Sequence, residues 1–281
     1  DAVALFLAFS ARDELYVLGV TTVAGNVPLA LTSRNARIIR ELAGREEIPV
    51  HSGCSKPLVR DPVTAEDFHG TTGLAGIKTF EQKAPLDGSD GSRFLIERLS
   101  ATDAPVTLVV TPDIKDHILE LVMMGGAQTA GGNITPRAEF NIFADPHAAD
   151  QVLRSGVPIV VISLDITHQV RATADRIAMI EATGTRYATH TAALLTAAKA
   201  LESRANGSFA APLHEPCTVA YLLSPELFSG AQTAVTVDIE AGDGFGETRV
   251  TATKDGPVRW LDTVDADGVF ALIAARLGAA P

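Results

Sequence analysis

Asn133, Glu139 and Asn141 crowd one short stretch of the chain. Two amides and a carboxylate suit a ligand rich in hydroxyls, because each hydroxyl both donates and accepts and these side chains supply both partners. Taken alone, Asn133 reads equally well as a turn cap and Glu139 as a solvated surface charge. His214-Glu215-Pro216 sets a histidine beside a carboxylate ahead of an apolar run, Cys217–Leu223. That pair could do acid–base work near neutral pH, and the carboxylate could ligate a hard cation. The plainer reading is a glutamate favoured at a helix start beside an ordinary histidine. His69-Gly70 sits in a Gly/Thr-rich loop, Phe68–Gly76, where either a substrate contact or a surface histidine fits. Asp1, ahead of Ala-Val-Ala-Leu, reads as a helix N-cap or as a carboxylate able to bind a cation.

Other candidates carry less. The glycine-rich stretch Gly125–Gly132 has neither the Gly-Lys-Ser/Thr ending of a P-loop nor a G-x-G-x-x-G spacing, so it reads as a tight turn. His51, His117, His147, His168 and His190 follow no metal-ligand spacing and read as structural or solvated. Cys217 falls on an apolar helix face and reads as core, while Cys54 is uncommitted. Asp165, at a strand end, reads as the cap of the turn that follows.

These residues need a scaffold, and the hydrophobic periodicity supplies one. Strands are predicted over Tyr16–Val23, Ile48–His51, Val106–Thr111, Leu119–Met124 and Pro158–Ile166, with a late antiparallel pair at Val235–Ile239 and Thr248–Thr253. Helices are predicted over Asp1–Ser10, Thr32–Gly44, Ser89–Leu99, His147–Ser155, Thr173–Ala182, Tyr187–Arg204 and Asp265–Leu277. The alternation gives an α/β fold: a single domain with a mostly parallel central sheet flanked by helices, a Rossmann-like core, and a ligand site at the C-terminal ends of the strands. Two places break the rhythm. The chain enters directly on a helix, with no strand before it. Only Pro112–Ile118 separates two strands, whereas a parallel crossover takes about a dozen residues or more. Either those strands run antiparallel or a segment is missing after Thr111.

Composition narrows the classes. The chain has 281 residues, 46% of them hydrophobic and 20% charged, which excludes a disordered chain. The net charge of −11 disfavours nucleic acid as a partner. No apolar run approaches the ~18 residues of a membrane span. Two cysteines make no disulfide scaffold and no Cys-rich zinc site.

Several segments in order resemble the inosine–uridine-preferring nucleoside hydrolase family. They are Asp1-Ala2-Val3-Ala4, Thr21–Asn26, His69-Gly70, Met124-Gly125-Gly126, Gly132–Asn141 with Asp145-Pro146, Asp165–Gln169, and His214-Glu215-Pro216 with Ala220–Leu223. The run GNITPRAEFN is the most specific of them. The family opens with a strand and further aspartates before the one matching Asp1, and it has a turn and helix after the threonine matching Thr111. The resemblance thus implies one domain over 1–281, short of an N-terminal strand and of a segment between 111 and 112.

The resemblance also implies an activity, hydrolysis of the N-glycosidic bond of ribonucleosides with one calcium ion in the pocket. Asp1 and Glu215 would be calcium ligands, with the backbone carbonyl of Thr111. Asn26, Asn133, Glu139 and Asn141 would hold ribose hydroxyls, and Met124 would line the sugar pocket. His69 and His214 would face the base, His214 as acid for the leaving group. Tyr187, His190 and Phe209 are further candidates for base contacts. The family has His-Asp where this chain has His214-Glu215, a carboxylate farther out by about 1.5 Å, one C–C bond. That departure, with the absent upstream aspartates, makes a nucleoside- or ribose-binding paralogue with impaired catalysis the alternative. A homodimer or homotetramer in the cytoplasm, serving salvage and touching neither membrane nor nucleic acid, completes the expectation.

Overall fold

In the computed structural model, residues 1–101, 106–108 and 118–281 are described. The first half runs α1 (Ala2–Ser10), β1 (Val20–Thr22), α2 (Leu29–Leu42), β2 (Val50–Ser52), α3 (Glu66–His69), α4 (Gly91–Ser100), β3 (Val106–Leu108), β4 (Ile118–Met124), α5 (Phe140–Ala144) and α6 (Pro146–Leu153). The second half runs β5 (Ile159–Ile162), α7 (Leu164–Thr167), β6 (Arg171–Ala172), α8 (Ala174–Glu181), α9 (Arg186–Asn206), β7 (Ala211–Pro212), α10 (Pro216–Leu223), β8 (Phe228–Val237), β9 (Thr248–Ala252), β10 (Val258–Val264) and α11 (Ala266–Gly278).

Six strands form the central sheet in the order β3-β4-β5-β10-β8-β9. The first three pairings are parallel and the last two antiparallel, so the sheet is mixed. The expected late antiparallel pair is therefore a triplet, with β10 joining it to the parallel half. β1 and β2 pair in parallel as a separate two-stranded sheet. β6 and β7 form a small antiparallel pair. Strand periodicity divides the core between the two faces of the sheet. Val160 and Ile162 of β5 join Phe6, Phe9, Ile38 and Phe270 on one face. Ile159 and Val161 join Met123, Ile142, Val152 and Trp260 on the other.

Local chemistry sets the helix starts. Asp90, Asp145, Thr173, Thr185 and Asp265 each accept from a backbone N–H in the first turn of α4, α6, α8, α9 and α11. Pro146 and Pro216 occupy first-turn positions that need no N–H. Ser163 stops the strand predicted to reach Ile166: its side chain accepts from the N–H of Asp165 and opens α7 after Ile162. The buried strand predicted from Tyr16 shrinks to β1, and Tyr16 itself is 90% exposed. β3 and β4 pair in parallel, which overturns the antiparallel alternative. Thr111 and the expected break after it lie outside the described residues. Among the described residues no helix is long and apolar enough to cross a membrane.

Arg40 of α2 is the largest fully buried side chain, 1% exposed. It donates to the carbonyls of Ile48 (2.9 Å) and Pro85 (2.9 Å) and to Asp87 (2.7 Å). Asp87 also accepts from the N–H of Val50 (2.8 Å), so one guanidinium ties α2, β2 and the segment before α4 together. Arg40→Leu strands these acceptors; Asp87 is partly exposed and can rehydrate, so the loss should be about 1–3 kcal/mol, most of it from the carbonyls. Urea denaturation of the variant should show that loss at unchanged m-value.

Candidate active site

The site is built where the parallel strands end. β4 closes on Met124 and runs into Gly125-Gly126. Gly126 has φ of +77°, and a Cβ there would meet Thr248 and Trp260 at 3.0 Å, so only glycine suits both backbone and space. Its N–H donates to the Glu139 carboxylate (3.0 Å), which also accepts from the N–H groups of Asn141 (2.9 Å) and Ile142 (3.1 Å). Glu139 is 2% exposed, which corrects its reading as a surface charge. Burial pushes its pKa up to about 7 against those three N–H donors, and the nearby charge of Glu215 pushes the same way.

The rest of the cluster is fixed around that carboxylate. The Asn141 amide donates to the Met124 sulfur (3.2 Å). Asn133 accepts from the N–H of Phe140 (2.8 Å). Gly132 lies against the backbone of Thr135 and Ala138, folding the loop back on itself. Asp165 does more than cap a turn. It accepts from the N–H groups of Gln128 (2.7 Å), Thr129 (2.7 Å) and Ala130 (2.8 Å), and from the hydroxyls of Thr129 and Ser163. Those bonds outweigh the effect of burial and hold its carboxyl below the usual range.

Facing this cluster are the residues ahead of α10. His214 Nδ1 lies 2.9 Å from the Thr167 hydroxyl, and its ring is 6.4 Å from that of His168. Burial lowers the His214 pKa to about 4, although Glu215 opposes it. Burial also lowers His69, again opposed by Glu215. The Glu215 carboxylate lies 3.2 Å from the backbone nitrogen of Asp1. One carboxylate thus acts on His69, His214 and Glu139 at once.

The structure brings Asp1, His214 and Glu215 together, and Met124, Asn133, Glu139 and Asn141 together; the charge of Glu215 links the two groups and His69. Asn26 lies in the loop after β1, with its carbonyl accepting from the N–H of Ala65 (2.9 Å) and no side-chain hydrogen bond among the described residues. Thr111 lies outside them. Among the described residues no group of three or more His, Cys, Asp or Glu side chains could hold a metal ion. Tyr187 is buried and donates to the Ala43 carbonyl (2.6 Å), so it is no base contact. His190 stacks on Phe6, while Phe209 is 86% exposed. Cys217 is buried and donates to the Leu213 carbonyl (2.9 Å), in keeping with a core role, and burial raises its thiol pKa. Sequence reasoning missed Thr167 and set His168 aside. Both lie in the Asp165–Gln169 segment directly after the strongest strand, to whose Thr167 and His168 the resemblance attached no role.

Amides and a buried carboxylate at strand ends, opposite two desolvated histidines, give this α/β protein a polar cluster rich in both donors and acceptors. The chain belongs to a family of enzymes of this class: the inosine-uridine preferring nucleoside hydrolase family model matches residues 1–271. These enzymes hydrolyse the N-glycosidic bond of ribonucleosides. A Schizosaccharomyces pombe protein is 40% identical over 100% of this chain and 96% of its own. A pyrimidine-specific ribonucleoside hydrolase of Enterobacter sp. is 37% identical over 99% of this chain and 94% of its own. Among solved structures, a plant nucleoside hydrolase superposes with a TM-score of 0.89 at 29% identity, covering 100% of this chain and 96% of its own. The purine-preferring ribonucleoside hydrolase from Gardnerella vaginalis reaches 0.89 at 26% identity, covering 98% and 94%.

The histidine environment has a consequence for stability. With a folded pKa of about 4 against 6.5 unfolded, His214 stays neutral in the fold while the unfolded chain takes up a proton. Its share of stability is complete above pH 6.5 and is lost as pH falls towards 4, by on the order of 3 kcal/mol. Glu139, raised to about 7, acts in the opposite sense as pH rises from 4.5 to 7. His214→Asn should remove only the histidine share, so the variant's urea midpoint should gain on the parent's as pH falls from 7 to 4.5.

Proposed function

We propose that this protein hydrolyses ribonucleosides to ribose and free base. Asn26, Asn133, Glu139 and Asn141 hold the ribose hydroxyls, with Met124 against the sugar. His69 and His214 face the base. As the N-glycosidic bond breaks, positive charge spreads over the sugar ring in an oxocarbenium-like transition state. The Glu139 carboxylate beneath that ring favours the charge where water is excluded. Water attacks the anomeric carbon while His214 assists the departing base. What carries this reading is the buried Glu139 carboxylate, held by three backbone N–H groups beside Asn133, Asn141 and Met124.

Asp1 and Glu215 offer oxygen donors that suit a hard cation such as calcium, with the Thr111 carbonyl as the third ligand the family resemblance implies. A bound cation would lower the pKa of a coordinated water. The described residues supply only two of its donors, so the ribose and base contacts rest on the chain's own side chains. Pyrimidine ribonucleosides are the preferred substrates in this proposal, supported by the pyrimidine-specific relative at 37% identity. We place the enzyme in the cytoplasm as a homodimer or homotetramer.

Ribose release from uridine, cytidine, inosine and adenosine tests the proposal. Uridine and cytidine should be cleaved fastest, with release abolished by a chelator and restored by calcium. No release from any of them would refute it and favour a nucleoside- or ribose-binding protein. Glu215→Asp draws the carboxylate back by about 1.5 Å. Its kcat should rise several-fold, and an unchanged or lower kcat would clear Glu215 of limiting the rate.

A further inference from the structure

We propose that Thr167 is a positioning residue, its hydroxyl donating to His214 Nδ1 and so fixing the ring in the tautomer that carries its hydrogen on Nε2. The inference rests on the reading of His214 as the residue that assists the departing base. Three observations carry it. Thr167 is 0% exposed, and Nδ1 of His214 at 2.9 Å is the only hydrogen-bond partner of its hydroxyl among the described residues. A hydroxyl has a single hydrogen. If Nδ1 carried a hydrogen and donated to the threonine oxygen, the hydroxyl hydrogen would be left without an acceptor in a fully buried place, a penalty that the opposite arrangement avoids. The threonine itself is held fast. Its N–H donates to the Ser163 carbonyl (3.1 Å), and the N–H of Leu164 at the start of the same turn donates to the Gly126 carbonyl (2.9 Å). Asp165 in that turn holds residues 128–130. One short helix therefore registers the glycine loop on the ribose side and the imidazole on the base side.

The chemical outcome is a directed donor. Nε2 has no hydrogen-bond partner among the described residues, so it is the nitrogen left for substrate. In the fixed tautomer its N–H points a hydrogen bond at the departing base as negative charge builds on the ring nitrogen and the adjoining carbonyl oxygen. The opposite tautomer would present a lone pair to that charge and repel it. Packing alone would not make this distinction, and that separates a positioning role from a merely structural one.

Two substrates and two variants test the proposal. Uridine needs help at its leaving group, whereas 4-nitrophenyl β-D-ribofuranoside, with a stable phenolate leaving group, does not. Thr167→Val keeps the shape and removes the hydroxyl. It should lower kcat on uridine ~10- to 100-fold with little change in KM, part of the 10²–10⁴ that positioned proton donors contribute. The fall on the nitrophenyl riboside should be no more than about twofold, since only the leaving-group term is lost. Thr167→Ser, which keeps the hydroxyl, should restore uridine turnover. Independently, 15N-histidine NMR, with the His214 signals assigned through His214→Asn, should show hydrogen on Nε2 in the parent and loss of that single pattern in Thr167→Val. Equal losses on both substrates, an unchanged rate on uridine, or hydrogen on Nδ1 in the parent would each overturn the proposal. If the parent releases no ribose from uridine, the hydrolase reading fails by itself and the NMR result alone decides the tautomer.

Discussion

The buried carboxylate of Glu139 is the contact around which the site is organised. A carboxylate at 2% exposure must find donors or give up its charge. This one finds three in the backbone, at Gly126, Asn141 and Ile142. They belong to two elements, the turn after β4 and the first turn of α5. A single side chain therefore fixes the distance between a strand end and a helix start, and Met124, Asn133 and Asn141 take their places from that distance.

The second constraint is electrostatic crowding around Glu215. Its charge opposes the lowering of His69 and His214 by burial and disfavours ionisation of Glu139, so the two halves of the cluster are coupled. Burial works against every ionised group here, which leaves the histidines neutral and makes hydrogen-bond direction, rather than charge, their means of acting on a neighbour. The helix α7 supplies that direction. Ser163 starts it, Asp165 pins the glycine loop from it, and Thr167 reaches His214 from its last turn.

Much of the fold was legible because it is encoded locally. Caps at Asp90, Thr173, Thr185 and Asp265 put helix starts within a residue or two of their observed places. The apolar run Ile159–Ile162 is buried at every position, as a central parallel strand covered on both faces must be. Reading failed where the outcome depended on partners far along the chain. Tyr16 looks like strand but has no neighbour to pair with, so β1 begins only at Val20. Val258–Val264 carries alternating residues that gave no clear signal, yet it sits between β5 and β8 at the centre of the sheet. In the site, residue types pointed to sugar chemistry, but burial of Glu139 could not be read locally, because it depends on the turn at Gly126, 13 positions away. Thr167 lay in a quoted segment but received no role, because its partner lies 47 positions away.

The central claim is that the Asn133–Glu139–Asn141 cluster grips vicinal sugar hydroxyls. The most direct measurement compares kcat/KM for uridine and 2′-deoxyuridine. A site built to bond a hydroxyl rejects the analogue that lacks it by roughly 10⁴-fold, because its buried polar groups are left unpaired. The account predicts a loss of at least about 10³-fold for the deoxynucleoside, allowing for partial solvation of the amides. Comparable turnover of the two substrates would contradict it.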